Sequence, residues 1–442
     1  MSATPSQRRA RRKRLQASRQ WNVAVVRYVC ERMRRPAVAM FALALGTVGV
    51  SAQTRSMDDM LTSARHAVAV RDGRLEGAGA DVIRAAMKDA PFVLIGEDHG
   101  LAEIPAFSSA VFRELAPLGA RDVVVEVGPE AGRRLTRVLG SADPVAEARA
   151  WLQRYPFSLA FYDLQQELTF LREARTAAGP GLRVVGIDQE LMGAGRMLLE
   201  AVATRDAALP ELLKDERLAY DRAVVTGNPT DLFMLTGPAD VLGALRDRLA
   251  AGTQTRDATL VTSLLDSRNI YALNAQSGFV SNLTRAALMK RNYVDQLPTA
   301  RRAVAPPVLF KLGALHVMKG LNTLNSREIG NYVAEVADGM GRPSLHILIM
   351  AVKGQQRRFA GVGKPYIAAP VDQVGPGVAD FPYAKPMFER ALGEQGWSLF
   401  DFREMRRWAS SQRDLDPRLA RLLFGFDVAV LIPEGTPSDQ IQ

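Results

Sequence analysis

Six short runs, spanning residues 92–96, 122–126, 182–188, 307–313, 345–351 and 427–432, are apolar at almost every position and are bounded by Gly, Pro or charge. Continuous apolar character predicts strands covered on both faces rather than strands with one wet side. Their alternation with helically spaced segments predicts an α/β fold, a mostly parallel central sheet flanked by helices. Helical spacing occurs over residues 104–118, 144–154 and 164–178, the last with Glu167 and Glu173 on a polar face. Between residues 192 and 300 no strand pattern occurs, while 240–249 and 260–297 have helical spacing. Residues 191–304 are therefore expected to form a mainly helical insertion or cap between two parts of one α/β domain, 53–190 and 305–435. The stretch 361–385, rich in Gly and Pro, reads as loop, and 436–442 as a polar tail.

The first 52 residues follow a different pattern. Eleven Lys and Arg crowd them against one acid, Glu31, and the uncharged apolar run from Pro36 to Val50 ends in a small-residue Val50-Ser-Ala52. About 20 residues are needed to cross a membrane, so this run is too short to span one and reads as a cleaved export signal. A start at Met33 would give that signal ordinary proportions. The remainder is then expected in a periplasmic or secreted location, with no stable membrane span.

This leader changes the charge picture. Of 57 Lys and Arg and 47 Asp and Glu, it holds eleven and one, which leaves 46 of each in the rest. The overall basicity thus belongs to the leader and gives no warrant for a nucleic-acid partner, which requires a basic patch on the folded domain. The single cysteine, Cys30, also lies there, so no disulfide and no thiolate metal site is expected beyond it.

Candidate chemistry gathers where strands end. Glu97, Asp98 and His99 follow the first run, Glu126 ends the second, Asp188 and Glu190 follow the third, and His316 follows the fourth, which carries Lys311. In open α/β sheets ligands bind outside the carboxyl ends of the strands, so these groups are expected in one cleft. Two imidazoles with several carboxylates suit two mechanisms. A His–Glu pair can act as general base toward water, with a second His or Lys311 steadying developing charge. Alternatively His99, His316 and a carboxylate such as Glu97 can hold a divalent metal. No Gly-x-Ser-x-Gly elbow or phosphate-cradling Gly-rich loop is present, which argues against a serine hydrolase of that type and a P-loop enzyme.

Plainer roles compete with these. Asp98 can cap a helix starting near Leu101, and Glu130 a helix after Gly128-Pro129. His316 can be a hydrogen-bonded core histidine; His346, mid-strand in an apolar run, reads as structural, and His66 as a surface or packing residue of the first helix after the leader. Trp151, Tyr155, Phe157, Phe161 and Tyr162 read most simply as core, with the wall of an apolar substrate pocket as the alternative.

The motifs Leu94-Ile-Gly-Glu-Asp-His-Gly100, Val123-Val-Val-Glu-Val127, Val185-Gly-Ile-Asp188, Arg285-x-x-x-Met289-x-x-Asn292 and Lys311-Leu-Gly-Ala-Leu-His-Val317 together resemble the erythromycin esterase-like family and its relatives, the haem-binding uptake and Tiki/TraB-type proteins. The resemblance spans roughly residues 90–335. It implies that His99 with Glu97 activates water, that Glu126 and His316 complete the site, and that Arg285 projects from a helix into the same pocket; Asp98, Asp188, Glu190 and Lys311, by their places on or after the strands, are expected with Arg285 toward substrate. A single residue between Glu97 and His99 is closer to the haem-uptake and Tiki-like branches, whereas the Arg/Met/Asn helix is closer to the esterases. The expected function is an exported hydrolase cleaving an ester or amide of a small molecule. The alternatives are a non-catalytic protein binding haem, metal or another small ligand in the same cleft, and a degenerate relative serving only as an interaction module.

Overall fold

A computed structural model describes residues 55–297, 305–371, 380–393 and 396–441. Residues 1–52, read above as an export signal, lie outside the described residues. Among the described ones, no helix is long and apolar enough to cross a membrane.

One mixed sheet organises the molecule. Its strands, in chain order, are β1 (Arg65–Arg71), β2 (Arg74–Glu76), β3 (Phe92–Glu97), β4 (Asp122–Val125), β5 (Arg183–Gly186), β6 (Val308–Gly313), β7 (Leu345–Arg358), β8 (Ile367–Pro370), β9 (Trp397–Asp401) and β10 (Val428–Gly435). The spatial order is β2-β1-β9-β10-β7-β3-β6-β4-β5, with β8 paired to the far end of β7. The six strands from β10 to β5 are parallel and coincide with the six apolar runs. β1, β2, β8 and β9 pair antiparallel. These strands went unseen in the sequence because β1, β2 and β8 carry exposed residues and the apolar run of β9 is interrupted by Ser398. His66 accordingly stands on β1 and not on a helix, since the first helix among the described residues, Met57–Ser63, ends before it.

Strand alternation divides the core in two. On β3, Val93 and Ile95 enter one apolar cluster and Phe92 and Leu94 the other; on β7, Ile347 and Ile349 oppose Leu348 and Met350. Both faces are thus covered, as parallel strands require. Removing water from such side chains is worth about 25 cal/mol per Å² of apolar surface, and this holds the strand ends rigidly in place.

Helices Gly195–Ala201, Leu209–Thr226, Ala239–Ala251, Thr255–Gln276 and Gly278–Gln296 fill the segment expected as a helical insertion. The expectation of loop over residues 361–385 is corrected. Residues expected as loop include β8 and the start of the helix Asp380–Ala391, while the expected tail is bound to the fold. It forms antiparallel bridges Leu101↔Pro437 and Leu164↔Gln440, and Ser438 is fully buried.

Sheet order places the chemistry. β6 returns from the insertion to lie between β3 and β4, so residues 97–99, 126 and 311–316 end on three adjacent strands, about 5 Å apart in the pairing direction.

Candidate active site

Glu126 is the centre of the cluster. It follows β4 and is almost wholly buried, yet four groups converge on its carboxylate. Arg285 Nη2 donates to Oε1 at 2.8 Å and the Gly313 backbone N–H to Oε2 at 2.6 Å. His99 Nε2 lies 3.4 Å from Oε2 and His316 Nε2 3.4 Å from Oε1. The two imidazoles, 217 positions apart in sequence, therefore bracket one carboxylate. Gly313 permits this approach: a Cβ there would press on His99 Nε2 at 3.0 Å and on Glu126 Oε2 at 3.1 Å.

Each imidazole is backed by a second carboxylate. His99 Nδ1 is 2.9 Å from Glu97 Oε1, and His316 Nδ1 is 3.1 Å from Glu328 Oε2, which Ser326 Oγ also meets through Glu328 Oε1. Burial by itself pushes both imidazoles down. The carboxylates outweigh it, so His99 is raised to about 10 by Glu126 and Glu97, and His316 to about 9 by Glu126 and Glu328. Burial likewise favours the neutral acid at Glu126, but the two imidazoles beside it hold it well below the usual carboxylate range.

Beneath His99 lies a buried ion cluster. Lys311, at position i+2 from Leu309, and Glu97, at i+2 from Ile95, point to the same face of adjacent strands. The Lys311 ammonium donates to Glu97 at 2.7 and 2.6 Å and to Glu167 Oε1 at 2.7 Å. Glu167 is fully buried, not on a polar helix face as expected. Burial raises it to about 7, with Lys311 opposing. Alongside the cluster, Arg285, from the helix Gly278–Gln296, clamps Asp188 through Nε at 2.9 Å and through Nη2.

Not every expected residue joins the cluster. Asp98 turns aside: with the Gln356 amide oriented to satisfy its neighbours, its nitrogen donates to Asp98 Oδ2 at 3.0 Å while its oxygen accepts from Arg358. Nor does Asp98 cap a helix, because the following helix, Glu103–Leu115, is preceded by Ala102 and has no side-chain cap. Glu190 accepts from the backbone N–H of Glu130 at 2.7 Å, which makes it a helix-terminus partner rather than a member of the histidine cluster. Glu130 instead meets Arg133 and Arg137. His346, with Nδ1 2.6 Å from the Val317 carbonyl and Nε2 2.9 Å from Ser344 Oγ, stands apart from the site.

Among the described residues, no group of three or more His, Cys, Asp or Glu is arranged to hold a metal ion. The proposed donors explain why. Glu97 is engaged by an ammonium through both oxygens, the two imidazoles face carboxylates through all four ring nitrogens, and Arg285 adds a cation at Glu126. With both Glu97 oxygens held by the Lys311 ammonium and Glu126 held by the Arg285 guanidinium, the set His99, His316 and Glu97 is committed to ion pairs within the protein and does not fit a divalent metal or haem iron.

Sequence reasoning missed Glu167 and Glu328 as members of the site; Phe161, read as core or alternatively as a pocket wall, lines two cavities and stacks on His99 with centroids 3.7 Å apart and planes 11° apart. Glu328 gave no local signal: it directly precedes the helix Ile329–Gly339, where an acid reads as a cap, but its side chain turns to His316.

No protein-family model matches the chain, and no curated protein matches it in sequence. Solved structures do match in fold. A mutant of the erythromycin esterase EreC in its open conformation superposes with a TM-score of 0.59 over 86% of this chain and 99% of that one, at 15% identity. The chain has the fold of that esterase. A succinoglycan biosynthesis protein solved by structural genomics matches with a TM-score of 0.56 over 87% and 98% of the two chains at 13% identity. A Bacillus cereus protein matches with a TM-score of 0.52 over the same shares at 14% identity.

Proposed function

We propose that the protein is a hydrolase that cleaves an ester or amide of a small molecule with water activated at His99. One observation carries the reading: two carboxylate-backed imidazoles bracket a single buried carboxylate at the carboxyl rim of the sheet, beside a guanidinium. The esterase-like fold supports it. In the proposed step Glu97 holds the Nδ1–H of His99, and the neutral Nε2 takes a proton from water as the water oxygen bonds to the carbonyl carbon. The resulting oxyanion is met by the Arg285 guanidinium or the His316 imidazolium. Collapse of the tetrahedral intermediate breaks the carbonyl-to-leaving-group bond, and His99 returns its proton to the departing oxygen or nitrogen. Contacts of 3.4 Å from Glu126 to each Nε2 are longer than a good hydrogen bond, which leaves these bonds easily exchanged for a water or substrate oxygen.

The site acts from outside the cytoplasm in this proposal, a location supported by the basic and apolar pattern of residues 1–52. N-terminal sequencing of protein recovered from the culture medium or periplasm should begin near Gln53. Hydrolysis of 4-nitrophenyl acetate by the purified protein tests the chemistry. His99→Ala is expected to lower the rate by at least about 10²-fold, the usual contribution of a general base, while circular dichroism at the assay temperature shows the variant still folded. Undiminished hydrolysis in both His99→Ala and His316→Ala would remove the proposal.

A further inference from the structure

Two cavities meet at the stacked pair of His99 and Phe161. One, of about 120 Å³, is lined by Glu126, Asp188, Arg285 and Tyr271. The other, of about 230 Å³, is lined by His99, Phe157, Phe161, Met192, Phe359 and Tyr366 and is mostly apolar. Ala160, Phe161 and Leu191 belong to both walls. A molecule entering around the Phe161 ring can therefore place an apolar group in the larger cavity and a carbonyl at His99.

The walls of the larger cavity are built for a flat occupant. Phe157 and Phe359 stack with centroids 4.5 Å apart and planes 14° apart, and Tyr366 meets Phe359 edge-on at 6.0 Å. Phe359 is 39% exposed and so stands at the open side of this cavity. Phe157 and Phe161 both sit at positive φ, 57° and 60°. This backbone region is unfavourable for non-Gly residues, and such strain clusters at ligand sites. Tyr366 is fixed by its hydroxyl donating to Asp163 Oδ2 at 2.6 Å. At about 230 Å³ the cavity falls below the roughly 300–1,000 Å³ typical of sites for drug-sized ligands, so it suits a single ring or a short chain.

Resting on the hydrolase reading, we propose that the substrate is an ester or amide with a compact aromatic or short-chain apolar acyl group, which occupies the cavity between Phe157, Phe161, Met192 and Phe359 while its carbonyl lies at His99. Rings offered to stacked aromatics gain both area burial and offset-stacking energy.

Two measurements test it. Binding of phenylacetamide and of acetamide to the full chain is followed by calorimetry, and kcat/KM is compared for 4-nitrophenyl phenylacetate and acetate. Phenylacetamide should bind at least about tenfold more tightly than acetamide, the scale on which apolar pockets discriminate. Met192→Trp, which fills the cavity, and Phe359→Ala, which removes a partly exposed wall, should each lose that preference, and phenylacetate should be the better ester through a lower KM. Equal binding of the two amides, or a preference that survives both substitutions, overturns the proposal even when esters are cleaved. Tight, Met192-dependent binding without cleavage of either ester supports the occupant and counts against the hydrolase reading.

Discussion

The two ends of the same sheet treat histidine in opposite ways. At the carboxyl end, His99 and His316 lie among Glu97, Glu126 and Glu328 and are raised to about 10 and 9. Toward the amino end, His346, the second residue of β7, is fully buried, and burial and the nearby Lys319 push it down to about 3. Its acidic neighbour, Asp427, is already engaged: Lys319 Nζ donates to it at 2.9 and 2.8 Å and Arg406 Nη2 at 2.9 Å. Burial drives all three imidazoles in one direction, so the sign of the net shift is decided by the balance of charge nearby: carboxylates prevail around His99 and His316, whereas at His346 the cations Lys319 and Arg406 offset Asp427. One end is a set of charges held ready to exchange partners; the other is a neutral, hydrogen-bonded strut.

Removing the central charge should show the contrast most strongly. Glu126→Ala leaves two imidazoles and Arg285 facing one another across a buried gap, and a loss of about 3–5 kcal/mol is expected, as for other broken buried pairs. Urea unfolding monitored by circular dichroism measures it, and a midpoint unchanged from wild type would mean the cluster is not held by that carboxylate. The bound tail gives the next effect. Ser438 N and Arg357 N both donate to Gly100 O at 2.9 Å, and Gly100, at φ +87°, has no room for a Cβ against Arg357, so the loop carrying His99 is pinned from outside. Deleting residues 436–442 should lower hydrolysis by about 10²-fold, the cost of small misplacements of catalytic groups, and a fully active truncation would show that the loop holds itself.

The pH response sharpens the comparison further. A base raised to about 10 works only once deprotonated, so kcat/KM should climb through pH 7–10. In Glu126→Gln the anion that favours the imidazolium is gone, and the rising limb should move to lower pH by about one unit or more; a limb that stays put assigns it to another group. The smallest effect is on stability, and it has opposite signs at the two ends. His346 binds a proton in the unfolded chain near 6.5 but in the folded one only near 3, so its contribution is complete above pH 6.5 and is lost as pH falls toward 3. His99 and His316 contribute fully below pH 6.5 and lose it as pH rises through about 9 and 10. Thermal midpoints of wild type and His346→Gln should converge as pH is lowered from 7 to 5; parallel curves would show that His346 does not titrate as described.

Much of this could be read along the chain. The six parallel strands were visible because a strand wet on neither face must be apolar at every position, as Phe92 to Ile95 and Leu345 to Met350 are. The helical insertion was visible from spacing, and His99, Glu126 and His316 were visible because short polar residues directly after such strands have few other places to go. The antiparallel strands β1, β8 and β9 were not visible, since β1 and β8 are partly exposed and the apolar run of β9 is interrupted by Ser398.

What sequence determined by itself was the periodicity: which residues line a face and which end a strand. Only tertiary structure decided partnership. Lys311 could have served substrate, and becomes the buried counter-ion of Glu97 and Glu167 because strand register sets their side chains on one face. Glu190 follows a strand as Asp188 does, yet turns to the N-terminus of the helix Pro129–Leu139 while Asp188 takes Arg285. Glu328 reaches His316 across a loop with no characteristic spacing. The physical reason is the range of each effect: periodicity is a local property of one backbone, whereas a buried charge is satisfied by whatever opposite charge the sheet order brings within about 3 Å.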